Sequence, residues 1–512
     1  MKCSYHRSYA STRLQENHGI HTHSGARLTA DGTSSALRER YGARYRWLLL
    51  LSVMLGTMTS IMSSTIINVA VPDLSQYFSV GQERAQWVSS GFMVSMTASM
   101  LTTPWLLARY GYRRTYVATM LMLMAGGIVG GFANSFSLVL AGRVTQGLAA
   151  GIVQPIPAII ILRAFESDEQ GRASGIFGMG VVLAPAIGPT IGGVLVDLFG
   201  WRSIFFMVVP FGLAALWLAW KFVPVSAPGG AAAQRGSMLD WRGLALGSAG
   251  TLCLLNGLVE LHGGGAAGPV LLLAAAVAVV AFLAWQRRVQ HRGGEPLMNL
   301  ALFGYRTFAM GTIVTFIYGT ALFGSTYLLP VYMQLGLGLS PSYVGTILLP
   351  AGLLLAVTIA IAGRLADRVR THLLVSVGLA LLAASFALTA TIGLRTTIWL
   401  LVAWIILGRI GLGFILPSLQ LGSMRSLHKN LVPQGSSTIN FLRMLGGAAG
   451  VSLCGILLEW RIAAHGDSLA NPVSSAARLA AFDEVFWMLA ATCALAMVAA
   501  WRLREAHPAA AR

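Results

Sequence analysis

The sequence predicts an all-α integral membrane protein built from two related sets of membrane-crossing helices. Three observations carry this. Of 512 residues, 55% are hydrophobic and only 11% charged, against about 25% charged in an ordinary soluble domain. Apolar windows of about 20 residues, the length that crosses a bilayer, recur along nearly the whole chain. The chain also repeats itself at a separation of about 260 residues. A soluble core of this length could not absorb so many apolar side chains, whereas lipid accepts them as surface.

Taken in order, fourteen windows read as spans: 47–71, 87–108, 115–133, 136–162, 173–196, 203–222, 243–261, 269–286, 307–329, 343–363, 372–393, 397–420, 436–458 and 485–501. Gly, Pro, Asn and Ser punctuate the connections, as at Asn134-Ser135 and between Pro224 and Gly236. The distribution of basic residues sets an orientation. With the N-terminus placed in the cytoplasm, 28 of the 36 Lys and Arg fall inside and five outside (Arg84, Arg202, Arg395, Arg461, Arg478). Three lie within spans: Arg143, Arg409 and Arg443. A miscounted span would scramble the pattern beyond the error. The expected topology is therefore fourteen spans with both ends cytoplasmic.

The net charge of +18 is then mostly topology, and no nucleic-acid surface is expected. Residues 1–46 are expected to be a polar, disordered cytoplasmic tail, or in part residues upstream of the true start codon, and they hold no apolar segment of a secretory signal. Its His18, His21 and His23 lack further ligands nearby, so no metal is expected. Cys3, Cys253, Cys454 and Cys493 are scattered and make neither a disulfide framework nor a zinc spacing.

The repeat divides the chain. Gly142-Arg143-Val144-Thr145-Gln146-Gly147 returns as Gly408-Arg409-Ile410-Gly411-Leu412-Gly413, Gln170-Gly171 as Gln434-Gly435, and Arg109 as Arg368. The offsets are 266, 264 and 259. Residues 47–222 are expected to form an N-terminal six-helix half and 307–501 a C-terminal one. The stretch 223–306 is a linker with two extra spans, and 502–512 is a cytoplasmic tail. Parallel halves with a midplane site between them are a transporter architecture, and alternating access is the rocking of one half on the other.

Four stretches make the chain resemble the major facilitator superfamily, and within it the fourteen-helix drug:proton antiporters of the EmrB/QacA type. The fifth span reads Ala184-Pro185-Ala186-Ile187-Gly188-Pro189-Thr190-Ile191-Gly192-Gly193, like that family's GPxxGG antiporter motif. Its prolines bend a helix, and its glycines admit a neighbour to backbone contact. Gly142 to Gly147 resembles the RxxQG motif, whose Arg the resemblance implicates in proton transfer, here Arg143 beside Gln146. An Arg within hydrocarbon is costly, so either such a role or a buried structural pairing must explain it. The loop Pro104 to Arg114 resembles a GxLaDrxGrk loop with Ala108 at the acidic position, whereas its copy from Gly363 to Arg368 keeps Asp367. In the family that loop holds one conformation closed on the cytoplasmic side. The role is accordingly expected at Asp367 and Arg368, with Arg109 and Arg113 as a cationic latch or as plain positive-inside anchors.

The first span, Met62 to Pro72, resembles LDxTIxNVAlP with Ser63 where the family has Asp. That Asp is the family's cation-binding candidate, and a serine cannot titrate in the working range. The acids near the spans are Asp73, Asp197, Glu260 and Glu459, all at expected interfaces. Arg443, in Asn440-Phe441-Leu442-Arg443 ahead of Gly446-Gly447, resembles the family's NFxRxLGG. Candidate cavity residues, by position, are Met62, Ser63, Asn68, Gln154, Met179, Tyr318, Tyr327, Gln420 and Asn440. Aromatic, Met and small polar groups bind drug-like compounds by area and adaptable packing.

The expected function is proton-driven export of small hydrophobic or amphiphilic compounds, that is, multidrug efflux from the cell membrane, the inner one in a double-membraned cell. A dedicated exporter of one metabolite or antibiotic is the alternative. A membrane-embedded enzyme ranks below both, since the spans hold no HExxH, GxSxG or paired carboxylates. A nucleotide-driven pump would need a P-loop, and none is present. No cofactor is expected. The expected partners are the small-molecule substrate and membrane lipid. A periplasmic adaptor protein would follow from family analogy alone.

Overall fold

In the computed structural model, the described residues are 34–225, 238–261, 265–393, 396–467 and 475–503. Helices dominate them and no strand occurs among them. A short helix, α1 (Ser34–Tyr41), leads into α2 (Tyr45–Phe78), α3 (Trp87–Met100), α4 (Thr103–Tyr110), α5 (Tyr112–Gly131), α6 (Phe136–Val153), α7 (Ile156–Ala164), α8 (Gln170–Phe199) and α9 (Val208–Phe222). A hairpin follows, α10 (Trp241–Glu260) and α11 (Ala267–His291). The second set is α12 (Arg306–Val331), α13 (Pro341–Ala366), α14 (Thr371–Thr389), α15 (Ile398–Met424), α16 (Val432–Ala464) and α17 (Ala476–Trp501).

Twelve helices among the described residues are long and apolar enough to cross a membrane. The sequence leads one to expect fourteen, and the chemistry of two windows accounts for the difference. The window 87–108 breaks at Leu101-Thr102 into α3 and α4, each shorter than a spanning helix needs. The window 115–133 is α5, which opens on Arg113 and Arg114 and ends on Gly126, Gly127, Gly130 and Gly131. The last span also begins earlier than 485, so that Asp483 and Glu484 lie inside α17. The His-containing tail, Cys3 and Arg395 lie outside the described residues.

Each set has its own core. Val375, Leu379, Phe386, Tyr332, Phe482 and Phe486 centre the core of α12 to α17. Ile66, Leu74, Val88, Phe136, Trp201 and Phe205 fill one end of the first set. A third cluster joins the two sets at the end that carries Arg163, Arg172 and Arg425, here called the basic end. It holds Leu37, Leu49, Phe165 and Phe177 beside Phe308, Met424, Leu427 and Ile439. The α10–α11 hairpin is stapled by Asp240, whose carboxylate accepts from Gly243 N, Trp285 Nε1 and Gln286 Nε2 at 2.8–2.9 Å. Leu244 and Phe282 of the hairpin pack with Leu101 of the first set and Phe441 of the second, so the hairpin covers their seam.

Candidate functional site: a cavity between the two helix sets

Along the seam, α8 meets α13. A Cβ on Gly175 would lie 2.9 Å from the Cα of Gly363, so only glycine permits this approach at both positions. Toward the opposite end the glycines of α8 turn to α2 instead. A Cβ on Gly188 would meet Thr65 Oγ1 at 2.7 Å, and one on Gly192 would meet Ile66. A Cβ on Gly193, or on Gly345 or Gly352 of α13, would meet nothing within 4 Å. The α8 helix runs through Pro189, whose side chain lies outside the described residues.

Hydrogen bonds tie the sets together at the basic end. Asp367 follows α13 and accepts from Gly171 N at 2.5 Å and Arg172 N at 2.8 Å. These are among the orphan N–H groups that open α8, where the helix dipole also favours a carboxylate. Arg425 Nη2 stands 3.9 Å from the same carboxylate and donates to Ser167 O. Arg163 Nη2 donates to Lys429 O at 2.8 Å, and Ser436 Oγ to Pro155 O at 2.9 Å. Burial raises the Asp367 carboxyl above its ordinary range; the Arg172 and Gly171 N–H groups and Arg425 oppose it. Arg368, next in sequence, is exposed. Arg109 is exposed beside the Tyr110 ring. Arg113 donates to Val223 O at 2.7 Å, within its own set.

Above this closure lies a narrow cavity. Gln154, Gln420, Asn440 and Arg443 form its polar wall, with Thr57 and Ser174. Phe177, Gly178, Val181 and Leu416 complete it. Arg443 Nη2 donates to Gln154 Oε1 at 3.1 Å and to Asn440 Oδ1 at 3.0 Å. The first bond crosses from one helix set to the other. Three of the nine expected cavity residues, Gln154, Gln420 and Asn440, line this space. Met62 is buried beside Gly188 of α8 and Ser63 against Arg143 of α6, Asn68 accepts from Ser89 Oγ at 2.8 Å, and Met179 is half-buried on α8. Tyr318 is buried in α12, and Tyr327 is exposed on it. The residues that position alone missed include Ser174, Phe177, Gly178 and Val181. They form an i, i+3, i+4, i+7 stripe, which helical periodicity marks as one face.

A second polar cluster surrounds Arg143, which is 1% exposed. Its Nη1 donates to Ser63 O at 3.2 Å, Ser63 Oγ at 3.1 Å and Gln146 Oε1 at 2.8 Å. Its Nε donates to Val88 O at 3.2 Å, and the guanidinium lies 4.3 Å from the Phe92 ring centroid. Nη2 is buried and lacks a hydrogen-bond partner. The charge is thus met by carbonyls, a hydroxyl, an amide and a ring face, with Ser63 where a carboxylate would make an ion pair. Arg409 lines a separate pocket in the second set, with Ser325, Ser385 and Thr389. Among the described acids, Asp483 lies seven residues into α17 with Oδ1 buried and unpartnered. An expected span start at 485 hid it.

Residues 53–451 match the family model of the Major Facilitator Superfamily. The chain belongs to the major facilitator superfamily. It is a multi-pass membrane transporter and not an enzyme, as its family is one of transporters. A multidrug resistance protein B homolog of Mycobacterium tuberculosis is 29% identical over 82% of this chain and 78% of that protein. The lincomycin resistance protein LmrB of Listeria monocytogenes is 26% identical over 79% of this chain and 85% of that protein. An uncharacterized MFS-type transporter of Bacillus subtilis, YhcA, is 28% identical over 84% of this chain and 79% of its own length. In solved structures, the fold resembles the proton:xylose symporter XylE, with a TM-score of 0.62 at 13% identity over 90% of this chain and 95% of that one. It equally resembles the human organic anion transporter MFSD10, with a TM-score of 0.61 at 15% identity over 89% and 99%. At these identities the likeness is one of fold.

Proposed function

We propose that this transporter exports small hydrophobic or amphiphilic compounds by alternating access, in exchange for protons. The observation that carries the reading is the cavity at Arg443, closed off at the basic end by contacts between two helix sets. The sets are residues 47–222 and 307–501, and they rock as halves on that seam. The basic end is cytoplasmic, by the excess of Arg there, so this conformation is closed to the cytoplasm. Asp367 is the latch, and Gly171, Gly175 and Gly363 are the bearing surface. The glycines at 188 and 192, which seat α8 on α2, carry the motion of α8 into the first helix, while Arg143, Gln146 and Ser63 form the buried polar node it must move past. With α3–α4 and α5 counted as crossings the topology is fourteen spans, like the EmrB/QacA type, and the α10–α11 hairpin is the insert. The names of the resistance proteins among the relatives support a drug-like cargo.

Intact cells test the reading. Cells producing the protein should hold less of at least one dye in an amphiphilic panel than cells without it. Arg143→Ala, at equal membrane level, should abolish the difference. Accumulation that is the same in all three cell lines for the whole panel contradicts export.

A further inference from the structure

We infer that the cargo is a small amphiphilic organic anion, anchored by its acid group at Arg443. The inference rests on the export reading above and deepens it. Three observations meet here. The cavity wall offers one cation, Arg443, and no carboxylate. The 15 acids among the described residues all lie elsewhere. The spanning helices hold six of them, Asp73, Asp197, Glu260, Glu459, Asp483 and Glu484, none more than nine residues from a helix end. Finally, the Arg443 charge is met by two neutral amide oxygens, from Gln154 and Asn440, and its Nε is buried without a hydrogen-bond partner.

A guanidinium in low dielectric with an unused N–H and only amide acceptors is an anion site. A carboxylate, sulfonate or phenolate binds it by charge-assisted bonds about twice as strong as those to a neutral oxygen. Gln420 and Ser174 stand in the same wall with further donors. Phe177, Val181 and Leu416 offer the apolar body its surface. A cation would meet Arg443 with no acid to offset the repulsion. The bond to Gln154 gives the site a consequence for movement. It joins one helix set to the other, and an anion that takes its place on Arg443 Nη2 severs that bridge. Binding then loosens the seam that must open.

The test uses two dyes with the same xanthene core, fluorescein, an anion at pH 8, and rhodamine 6G, a cation. Their affinities for the purified full-length protein are read by fluorescence anisotropy. Fluorescein should bind about tenfold tighter or more, the scale of one charge-assisted contact. Arg443→Gln should weaken fluorescein about tenfold and leave rhodamine 6G within about twofold. Gln154→Glu keeps the fold by pairing with Arg443, and should also weaken fluorescein selectively. Equal or tighter binding of rhodamine 6G, binding of neither dye, or a parallel loss for both dyes in the variants overturns the proposal. Energised uptake of both dyes into everted vesicles separates the two readings. Preferred uptake of rhodamine 6G keeps export and removes the anion site. Arg443-dependent fluorescein binding without energised uptake keeps the site and removes export.

Discussion

Replacing Asp367 with Ala removes the one side chain that caps α8 from the other helix set. Two N–H groups, one on buried Gly171 and one on exposed Arg172, lose acceptors at 2.5 and 2.8 Å, and only the first is shielded from water. A buried donor left unsatisfied costs about 1–3 kcal/mol, and water entering the gap returns part of that. Arg425 at 3.9 Å, itself 27% exposed, adds little. We take a net loss of about 1–3 kcal/mol from the closed conformation, which shifts its equilibrium by a factor of about 5–150. The carboxyl is raised by burial, so it binds a proton more readily closed than open. Closure therefore draws more from Asp367 below that raised value and less as pH rises through it. Because the charge itself is disfavoured by burial, Asp367→Asn, which keeps one acceptor oxygen, should cost less than Ala. The assay is maleimide labelling from the basic side of a cysteine at Ser174, which lines the cavity and is 3% exposed, with the four native cysteines replaced. Labelling should accelerate at least about fivefold in Asp367→Ala, less in Asp367→Asn, and not in Arg368→Ala. An unchanged rate in Asp367→Ala refutes the latch.

Two further outcomes follow from the same contacts. Ser63→Asp puts a carboxylate within about 3 Å of Arg143 Nη1, judged from the Ser63 Oγ distance of 3.1 Å. Attraction of about 5–6 kcal/mol at that distance and an effective dielectric of 20 is partly cancelled by desolvation; a protein of higher melting temperature, with export shifted toward cationic dyes, is expected, and an unchanged melting point and substrate profile would remove the pairing. Gly363→Val should block the α8–α13 approach, since any Cβ there collides with Gly175. Protein of normal membrane level should then export nothing and label at Ser174→Cys as the open form does; full export would show that the seam does not close this tightly.

Most of the architecture was legible in the sequence, because a spanning helix is written in residue type alone. What residue type leaves out has the same origin. The α3–α4 break at Leu101-Thr102 stands just ahead of Pro104, whose ring cannot continue the helix, and Thr103 there donates to Ile152 O; hydropathy weighs neither. Asp483 falls just ahead of the expected span start at 485, whereas α17 carries it seven residues past its start. The site was legible in part. Arg143 and Arg443 announced themselves as charges in an apolar run, and Asp367 as the acid its N-terminal copy lacks. That Asp367 caps a helix of the other set, while neighbouring Arg368 stays exposed, depends on the direction in which α13 ends. The pairing of Arg443 with Gln154 joins residues 289 positions apart, and no local pattern contains it.

Uptake of a compound panel into energised everted vesicles, with and without an uncoupler, tests the central claim most directly. Export in exchange for protons predicts that at least one amphiphilic compound accumulates above the level in vesicles lacking the protein, and that the uncoupler abolishes the difference. Accumulation that survives the uncoupler contradicts proton exchange, and no accumulation of any compound contradicts export.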